Sequence, residues 1–196
     1  GPLDAELMPV YDFLDGKGVL KIHDAALKDV KLFKKISGAT KFMKTSDDLT
    51  IRDTEVKFEV IDGKAFIEPF DIKMGGSSLT LGGSRSLDSV LDLDVVLDMA
   101  MDQKLGSAAN NLLSQYGAGD LVGDRVTVPM KIKGKESDPK IKVLGVKTHG
   151  KEDASVKEVA KEKAKEEIDK HKEDAKKELE KHKKEQKAKI LKDAQQ

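Results

Sequence analysis

One stretch of the sequence constrains the fold more than any other: "SVLDLDVVLDM", residues 89–99, in which apolar and acidic residues alternate. The odd positions are apolar and hold Leu91, Leu93, Val95, Leu97 and Met99. Asp92, Asp94 and Asp98 occupy even positions. Successive side chains of a β-strand point to opposite faces of a sheet, so this period of two predicts a strand with one apolar face and one acidic face.

The three aspartates have an alternative interpretation as a metal-binding or catalytic cluster. Carboxylates bind a hard cation only when they converge, and the calcium-binding loop achieves this with a turn at its glycine. No glycine lies between Ser84 and Gly106. We therefore interpret the aspartates as the solvated face of a strand and predict no metal site.

The preceding residues repeat the strand pattern. Residues 49–60 alternate charged residues with an apolar set that contains Val56, Phe58 and Val60. Asp62 and Gly63 follow, and an Asp-Gly pair supplies the positive φ angles of a hairpin turn. The sequence therefore predicts an antiparallel hairpin here.

The return strand of this hairpin, residues 64–74, places four apolar residues on one parity: Phe66, Phe70, Ile72 and Met74. Pro69 marks a bulge or an edge, since proline cannot donate to a sheet. Leu79 and Leu81 then form a short strand between two glycine pairs. With the acid-striped strand, these runs predict a four-stranded antiparallel meander with one apolar face.

Further elements are predicted before and after the meander in the sequence. Leu20 and Ile22 alternate with charged residues after a glycine turn, and a short amphipathic helix follows over residues 27–36, with Gly38 as its stop. A second short helix is predicted around residues 108–115.

A later strand, "DRVTVPMKIKG", has an apolar parity formed by Val126, Val128, Met130 and Ile132. Pro129 has the outward parity, which an edge strand tolerates. "SDPKIKVLG" is predicted to be the short last strand. The predicted fold is therefore mainly β with α: a curved antiparallel sheet of about six or seven strands, two short packing helices and a long charged C-terminal helix.

The C-terminal tail differs from the rest in composition. From Lys151 onward it contains 15 Lys and 13 Asp or Glu in 46 residues, without Gly, Pro or aromatic residues. We therefore predict a β-rich domain over residues 1–148 and a helical tail over residues 149–196. The tail's apolar seam is thin, which favours a solvated single helix over an oligomerising or docking helix, or over a helix lying on a membrane surface.

The sequence offers little for catalysis. Cysteine is absent, and His23, His149, His171 and His182 are interpreted as scattered surface residues. "GGSSLTLGG" lacks the Lys-Ser/Thr ending of a phosphate loop, and "GSRSLDS" lacks a nucleophile elbow, so Ser84 and Ser86 are interpreted as turn serines. We predict a protein that is not an enzyme and has no cofactor.

Other function classes are also disfavoured. Residues 1–150 carry 21 basic and 23 acidic residues, so the basic bias of a nucleic-acid-binding protein is missing. No apolar run is long enough to span a bilayer. The chain begins "GPLDAELMPVYDF", without an initiator Met, so we expect a piece of a longer protein whose anchor or targeting signal lies elsewhere.

The apolar strand faces remain as the candidate binding surface. If helices cover them, they form an ordinary core. If the sheet curves with its inner face partly open, the same residues would form a trough for acyl chains.

The order of the segments resembles the C-terminal domain of the AsmA family, envelope proteins related to TamB. The similarity rests on "MPVYDFLDGKGVLKIHDAALKDVKLFKKISGATKF", on residues 49–99, on "LGSAANNLL" and on the closing "VPMKIKGKESDPKIKV". It covers about residues 8–144, and no single motif in it is diagnostic.

The resemblance implies a periplasmic protein without catalysis. Such a protein is anchored in the inner membrane by an N-terminal helix and supports outer-membrane biogenesis by binding or conducting phospholipid or another acyl lipid. It also implies that ten residues line a concave or buried face: Phe58, Val60, Phe70, Ile72, Leu79, Leu81, Leu91, Leu93, Val95 and Leu97. The chain lacks the anchor and most of the long groove of the family.

A second hypothesis treats the sheet as a closed core. The chain would then be a protein-interaction module whose charged C-terminal helix docks a partner, such as an envelope protein, or acts as a spacer of about 60 Å. A third hypothesis is an enzyme whose other half is missing.

Overall fold

The computed structural model describes residues 15–27, 31–40, 49–74, 77–100, 123–150 and 155–193. Its strands are β1 (Gly16–Leu27), β2 (Leu49–Ile61), β3 (Lys64–Met74), β4 (Ser77–Ser86), β5 (Val90–Ala100), β6 (Arg125–Lys135), β7 (Lys140–Val143) and β8 (Lys147–His149). The helices are α1 (Lys31–Thr40) and α2 (Ser155–Asp193). The predicted short helix at residues 108–115 lies outside the described residues.

The strands form one open antiparallel sheet. Neighbouring strands follow chain order from β1 to β7, and β8 pairs with β6 beside β7. β5 and β6 pair along their whole lengths, from Val90 opposite Lys135 to Ala100 opposite Arg125. The predicted fold, mainly β with a long C-terminal helix, is confirmed.

One face of the sheet carries the main core. The alternating apolar residues of β5 and β6 lie on this core face and are buried together with Ile36 of α1. α1 was predicted to stop at Gly38 but continues to Thr40, whose hydroxyl donates to the Ile36 carbonyl over 2.8 Å.

A bulge in β3 divides its apolar residues between the two faces. The β3–β4 register shifts between Ile67 and Phe70, where β3 has one more residue than β4. Phe70 therefore lies on the core face, whereas Phe66 packs with Ile61 on the opposite face. The predicted bulge near Pro69 is confirmed, but the prediction that Phe66 and Phe70 share a face is wrong because the bulge reverses the parity.

The glycine pair in β4 is not a turn. β4 runs through Gly82 and Gly83 to Ser86, and it pairs with β5 along this stretch. A Cβ at Gly83 would lie 2.3 Å from the Asp92 carbonyl oxygen, so glycine permits two backbones to approach closely. Ser84, interpreted as a turn serine, is instead buried inside β4.

The end of the sheet also differs from the prediction. β7 is not the last strand, because β8 pairs with the first residues of β6. Pro129 does not lie on an edge strand, since β5 flanks β6 on one side and β7 and β8 on the other. Its missing N–H falls between the segments of β6 that pair with β7 and with β8, and this gap explains why the proline is tolerated.

α2 covers the second face of the sheet. Ile168 and Leu179 are buried against Ile61 and Phe66, and Ala175 packs at their edge. The interpretation of the tail as a solvated single helix is therefore wrong. The helical spacing of the tail places His171 on its apolar seam. In the structure His171 is exposed, and its neighbour Lys172 is buried instead.

The predicted boundary between the β-rich domain and the tail, at residue 148, lies inside β8.

Candidate functional site

The ten predicted residues divide into a closed part and an open part of the core face. Six are buried: Ile72, Leu79, Leu91, Leu93, Val95 and Leu97. They belong to one cluster with Ile36 of α1 and with the apolar residues of β6. These six residues therefore belong to a closed core and cannot contact a ligand in this conformation.

The other four residues, Phe58, Val60, Phe70 and Leu81, are only partly buried. Register places them on the same face as the core: Leu81 lies opposite Val95, and Phe58 lies opposite Ile67. Leu20 extends this surface on β1, where it lies opposite Val56 and is 53% exposed. We name Leu20, Phe58, Val60, Phe70 and Leu81 the open end of the core face.

A glycine shapes the open end. A Cβ at Gly18 of β1 would lie 2.3 Å from Cζ of Phe58, so the phenyl ring lies directly over the glycine backbone. The ring thereby covers β1 with apolar surface where β1 itself has no side chain. The sequence pattern predicts Leu20 in a strand but does not mark it as part of the binding surface. Its alternation with Ile22 was the signal that could have found it.

The aspartates of β5 lie on the face that α2 covers, so their interpretation as solvated residues is wrong. Asp92 and Asp94 surround the Lys131 ammonium group, with Nζ–O distances of 3.1 and 2.9 Å. Glu167 of α2 closes the group, with its Oε1 2.9 Å from the same Nζ. The sequence pattern does not single out Lys131, because its contacts with Asp92 and Asp94 depend on the register of β5 against β6.

Burial and charge oppose each other in this cluster. Burial lowers the pKa of Lys131, but hydrogen bonds and charges from Glu167, Asp94 and Asp92 more than offset this and raise it. Burial raises the pKa of Asp94, and the charges of Glu167 and Asp92 add to that effect despite the Lys131 ammonium group. Lys131 therefore stays charged and joins β5, β6 and α2.

Asp98, the third aspartate, belongs to a separate buried group with His149, Thr127 and Arg125. Arg125 donates from Nε and Nη2 to Asp98 Oδ2 over 3.0 and 2.5 Å. His149 Nε2 lies 3.0 Å from Asp98 Oδ1 and 2.9 Å from Thr127 Oγ1. The interpretation of His149 as a surface residue is wrong, because β8 places it inside the sheet.

This group does not have the geometry of a nucleophilic relay. In a Ser-His-Asp triad, one ring nitrogen contacts the nucleophile and the other contacts the carboxylate. Here Thr127 and Asp98 both contact Nε2, while Nδ1 lies 3.0 Å from the Gly150 carbonyl oxygen. Thr127 is also buried. The arrangement anchors β8 to β5 and β6.

Lysines of α2 contact carboxylates of the sheet along the helix. Lys157 lies 3.3 Å from Asp71, Lys176 lies 3.0 Å from Glu59, and Lys183 lies 3.1 Å from Asp15. Burial raises the pKa of Asp71, but the Thr80 hydroxyl and the two nearby lysines outweigh it and lower that pKa. α2 is thus held by a thin apolar seam flanked by ion pairs.

Within the described ranges, no group of three or more His, Asp or Glu side chains is arranged to hold a metal ion. In the same part of the chain, no helix combines the length and the apolar character needed to cross a membrane.

Comparison of the chain with models of known protein families gives no match, and comparisons with curated proteins and with solved structures give none either.

Proposed function

We propose that the chain is part of a non-enzymatic cell-envelope protein of AsmA type, which binds the acyl chain of a phospholipid on the open end of its core face. The observation that carries this proposal is the passage of one apolar face from a closed core at β5, through the partly buried Phe70 and Leu81, to the exposed Leu20. An acyl chain lying there would remove apolar surface from water on both partners.

The open end has the chemistry of an acyl site rather than of a polar-ligand site. Its five side chains are all aliphatic or aromatic, and the Phe58 ring extends the surface across Gly18. Burial of each methylene group contributes about 0.8 kcal/mol, so burial of about ten methylenes would supply about 8 kcal/mol towards the cost of association and net binding.

The cellular setting of this proposal rests on the resemblance described above. In that setting the full-length protein is periplasmic, is held in the inner membrane by an N-terminal helix, and supports outer-membrane biogenesis. The open end would then receive or pass phospholipid.

Native mass spectrometry of the purified chain tests lipid binding. We expect co-purified phospholipid with the wild type, and its loss in Leu20→Asp and Phe70→Asp proteins. Leu144→Asp is the matched control, because Leu144 is 54% exposed and lies outside the open end. Circular dichroism of each variant checks that it folds like the wild type. Lipid-free wild-type protein, or equal lipid in all variants, contradicts the proposal.

A second candidate function is a protein-interaction module that uses the end of α2. Lys183 makes the last described contact of the helix with the rest of the chain, and the described side chains beyond it are exposed. A chain that ends at Lys184 tests this candidate by sedimentation and by binding to candidate envelope proteins. Loss of binding, with the fold intact, would favour the helix end as the working element.

A further inference from the structure

β1 has one open edge. Among the described strands it pairs only with β2, along a register that runs from Gly16 opposite Val60 to Leu27 opposite Leu49. No strand in the described ranges pairs with its other edge, which runs along a strand of 12 residues. Such an edge is a template for another strand unless the sequence blocks it.

The side chains of β1 point alternately to the two faces of the sheet, and the two sets differ in chemistry. On the side that faces α2, Lys17 and Lys21 are 77% and 70% exposed. Val19 lies between them and is half-exposed. On the side of the core face, Leu20 is exposed as well. Neither side has a proline. Lysines on an edge strand protect it against most strands, so a strand that pairs here has to offset the charges of Lys17 and Lys21.

β2 shows which kind of strand matches β1. Glu59 and Glu55 of β2 lie 3.6 and 3.9 Å from Lys17 and Lys21, and Val56 lies opposite Leu20. β2 thus pairs acidic residues with the lysines and apolar residues with the leucine. The lysines remain largely exposed, so they can contact carboxylates on both flanks.

We propose that the free edge of β1 binds a protein partner by strand addition, and that the partner segment alternates acidic and apolar residues. Its acidic side chains would lie beside Lys17 and Lys21, and its apolar side chains would cover Leu20. Main-chain hydrogen bonds supply affinity in this mode, and the alternating side chains supply specificity.

Charge disfavours a second copy of the chain as the occupant. Antiparallel pairing of β1 with β1 of a second copy, centred on Val19, places Lys17 of each copy opposite Lys21 of the other. Like charges directly opposite each other are destabilising. The partner is therefore a different, acidic segment.

Binding of synthetic peptides to the intact chain tests the proposal. The probe is a fluorescent ten-residue peptide in which Glu and Val alternate, and the comparison is the same peptide with Lys in place of Glu. We expect the acidic peptide to bind about tenfold or more tightly than the basic one. The Lys17→Glu/Lys21→Glu double variant should reverse this order.

A matched double variant, Lys140→Glu/Lys147→Glu, changes the same charge on the opposite edge of the sheet and should leave binding unchanged. Hydrogen exchange should show new protection of β1 amides when the acidic peptide is present. Equal binding of both peptides, protection elsewhere, or a dimer that Leu20→Asp dissociates would overturn the proposal.

These results separate this inference from the proposed lipid function. The Lys17→Glu/Lys21→Glu protein should retain the phospholipid of the wild type, because neither lysine belongs to the open end. Phe70→Asp should lose lipid and still bind the acidic peptide.

Discussion

Lys131 of β6 and Glu167 of α2 form an ion pair between the sheet and the helix, with 2.9 Å between Nζ and Oε1. The same ammonium group also neutralises Asp92 and Asp94 of β5. A single cation therefore holds two neighbouring carboxylates in the sheet and one in the layer above it.

Replacement of Lys131 by Ala should lower the free energy of unfolding by about 3–5 kcal/mol, because it removes the described counter-ion of Asp94, whose side chain is 12% exposed, whereas Asp92 keeps Lys133. Urea denaturation at neutral pH measures the loss. Lys133→Ala is the matched control on the same strand: Lys133 is 60% exposed against 12% for Lys131, so its loss should be about 1 kcal/mol or less. Equal losses in the two variants would contradict the assigned role of Lys131.

Replacement of Ile168 by Ala should cost about 2–5 kcal/mol, because it opens a cavity between α2 and the sheet beside Phe66. Val159→Ala removes apolar volume from the same helix at a residue that is 44% exposed, against 3% for Ile168, and should change stability little. Hydrogen exchange along α2 reports the docking directly. Unchanged protection of α2 in the Ile168→Ala protein would show that the apolar seam does not hold the helix.

Local patterns predicted the strands well, because a period of two depends only on neighbouring residues. In β5 and β6 the predicted apolar residues, such as Leu93 and Val128, are the buried ones. The predicted apolar face is largely the core face of the sheet. Nothing in one strand's pattern, however, indicates which face a distant segment covers.

The errors follow from that limit. The aspartates of β5 look solvated in the sequence, and they are covered because α2, which begins more than 50 residues later, packs across the sheet. His149 looks isolated until β8 pairs with β6 and brings it beside Asp98. Leu93 is buried and Leu20 is exposed, although both lie on the apolar side of a strand. Their difference depends on where α1 packs, and the spacing of residues in a strand does not predict that.

Gly83→Ala should lower the free energy of unfolding by at least about 2 kcal/mol. Gly83 has a φ of +133°, and a Cβ there would lie 2.3 Å from the Asp92 carbonyl oxygen. Gly16→Ala, in β1, is the control, since its Cβ would meet no atom within 4 Å. Thermal unfolding of both variants measures the difference. A Gly83→Ala protein as stable as the Gly16→Ala protein would show that β4 and β5 are not so closely apposed.

The contribution of Asp98 to stability should disappear in acid. Burial raises the pKa of Asp98, but hydrogen bonds and charges from Arg125 and His149 outweigh it and hold that pKa below the usual value of about 3.9. A carboxyl group whose pKa is lower in the folded state stabilises the fold above its unfolded pKa, and this stabilisation is lost as the pH falls through the folded pKa. Asp98→Asn removes the titrating group, so the wild type should be the more stable protein at pH 7 and should lose its advantage below about pH 4.

Urea denaturation of the wild type and of Asp98→Asn over a series of pH values from 7 to about 3 measures this gap directly. The comparison isolates Asp98, because Glu59, Asp71 and Asp92, whose pKa values are also lowered, titrate equally in both proteins. Asp24→Asn makes the same chemical change at an exposed residue of β1 and should leave stability nearly unchanged at every pH. A gap between wild type and Asp98→Asn that stays constant as the pH falls would mean that Arg125 and His149 do not stabilise the ionised carboxylate, and that Asp98 contributes to the fold only through its shape and neutral hydrogen bonds.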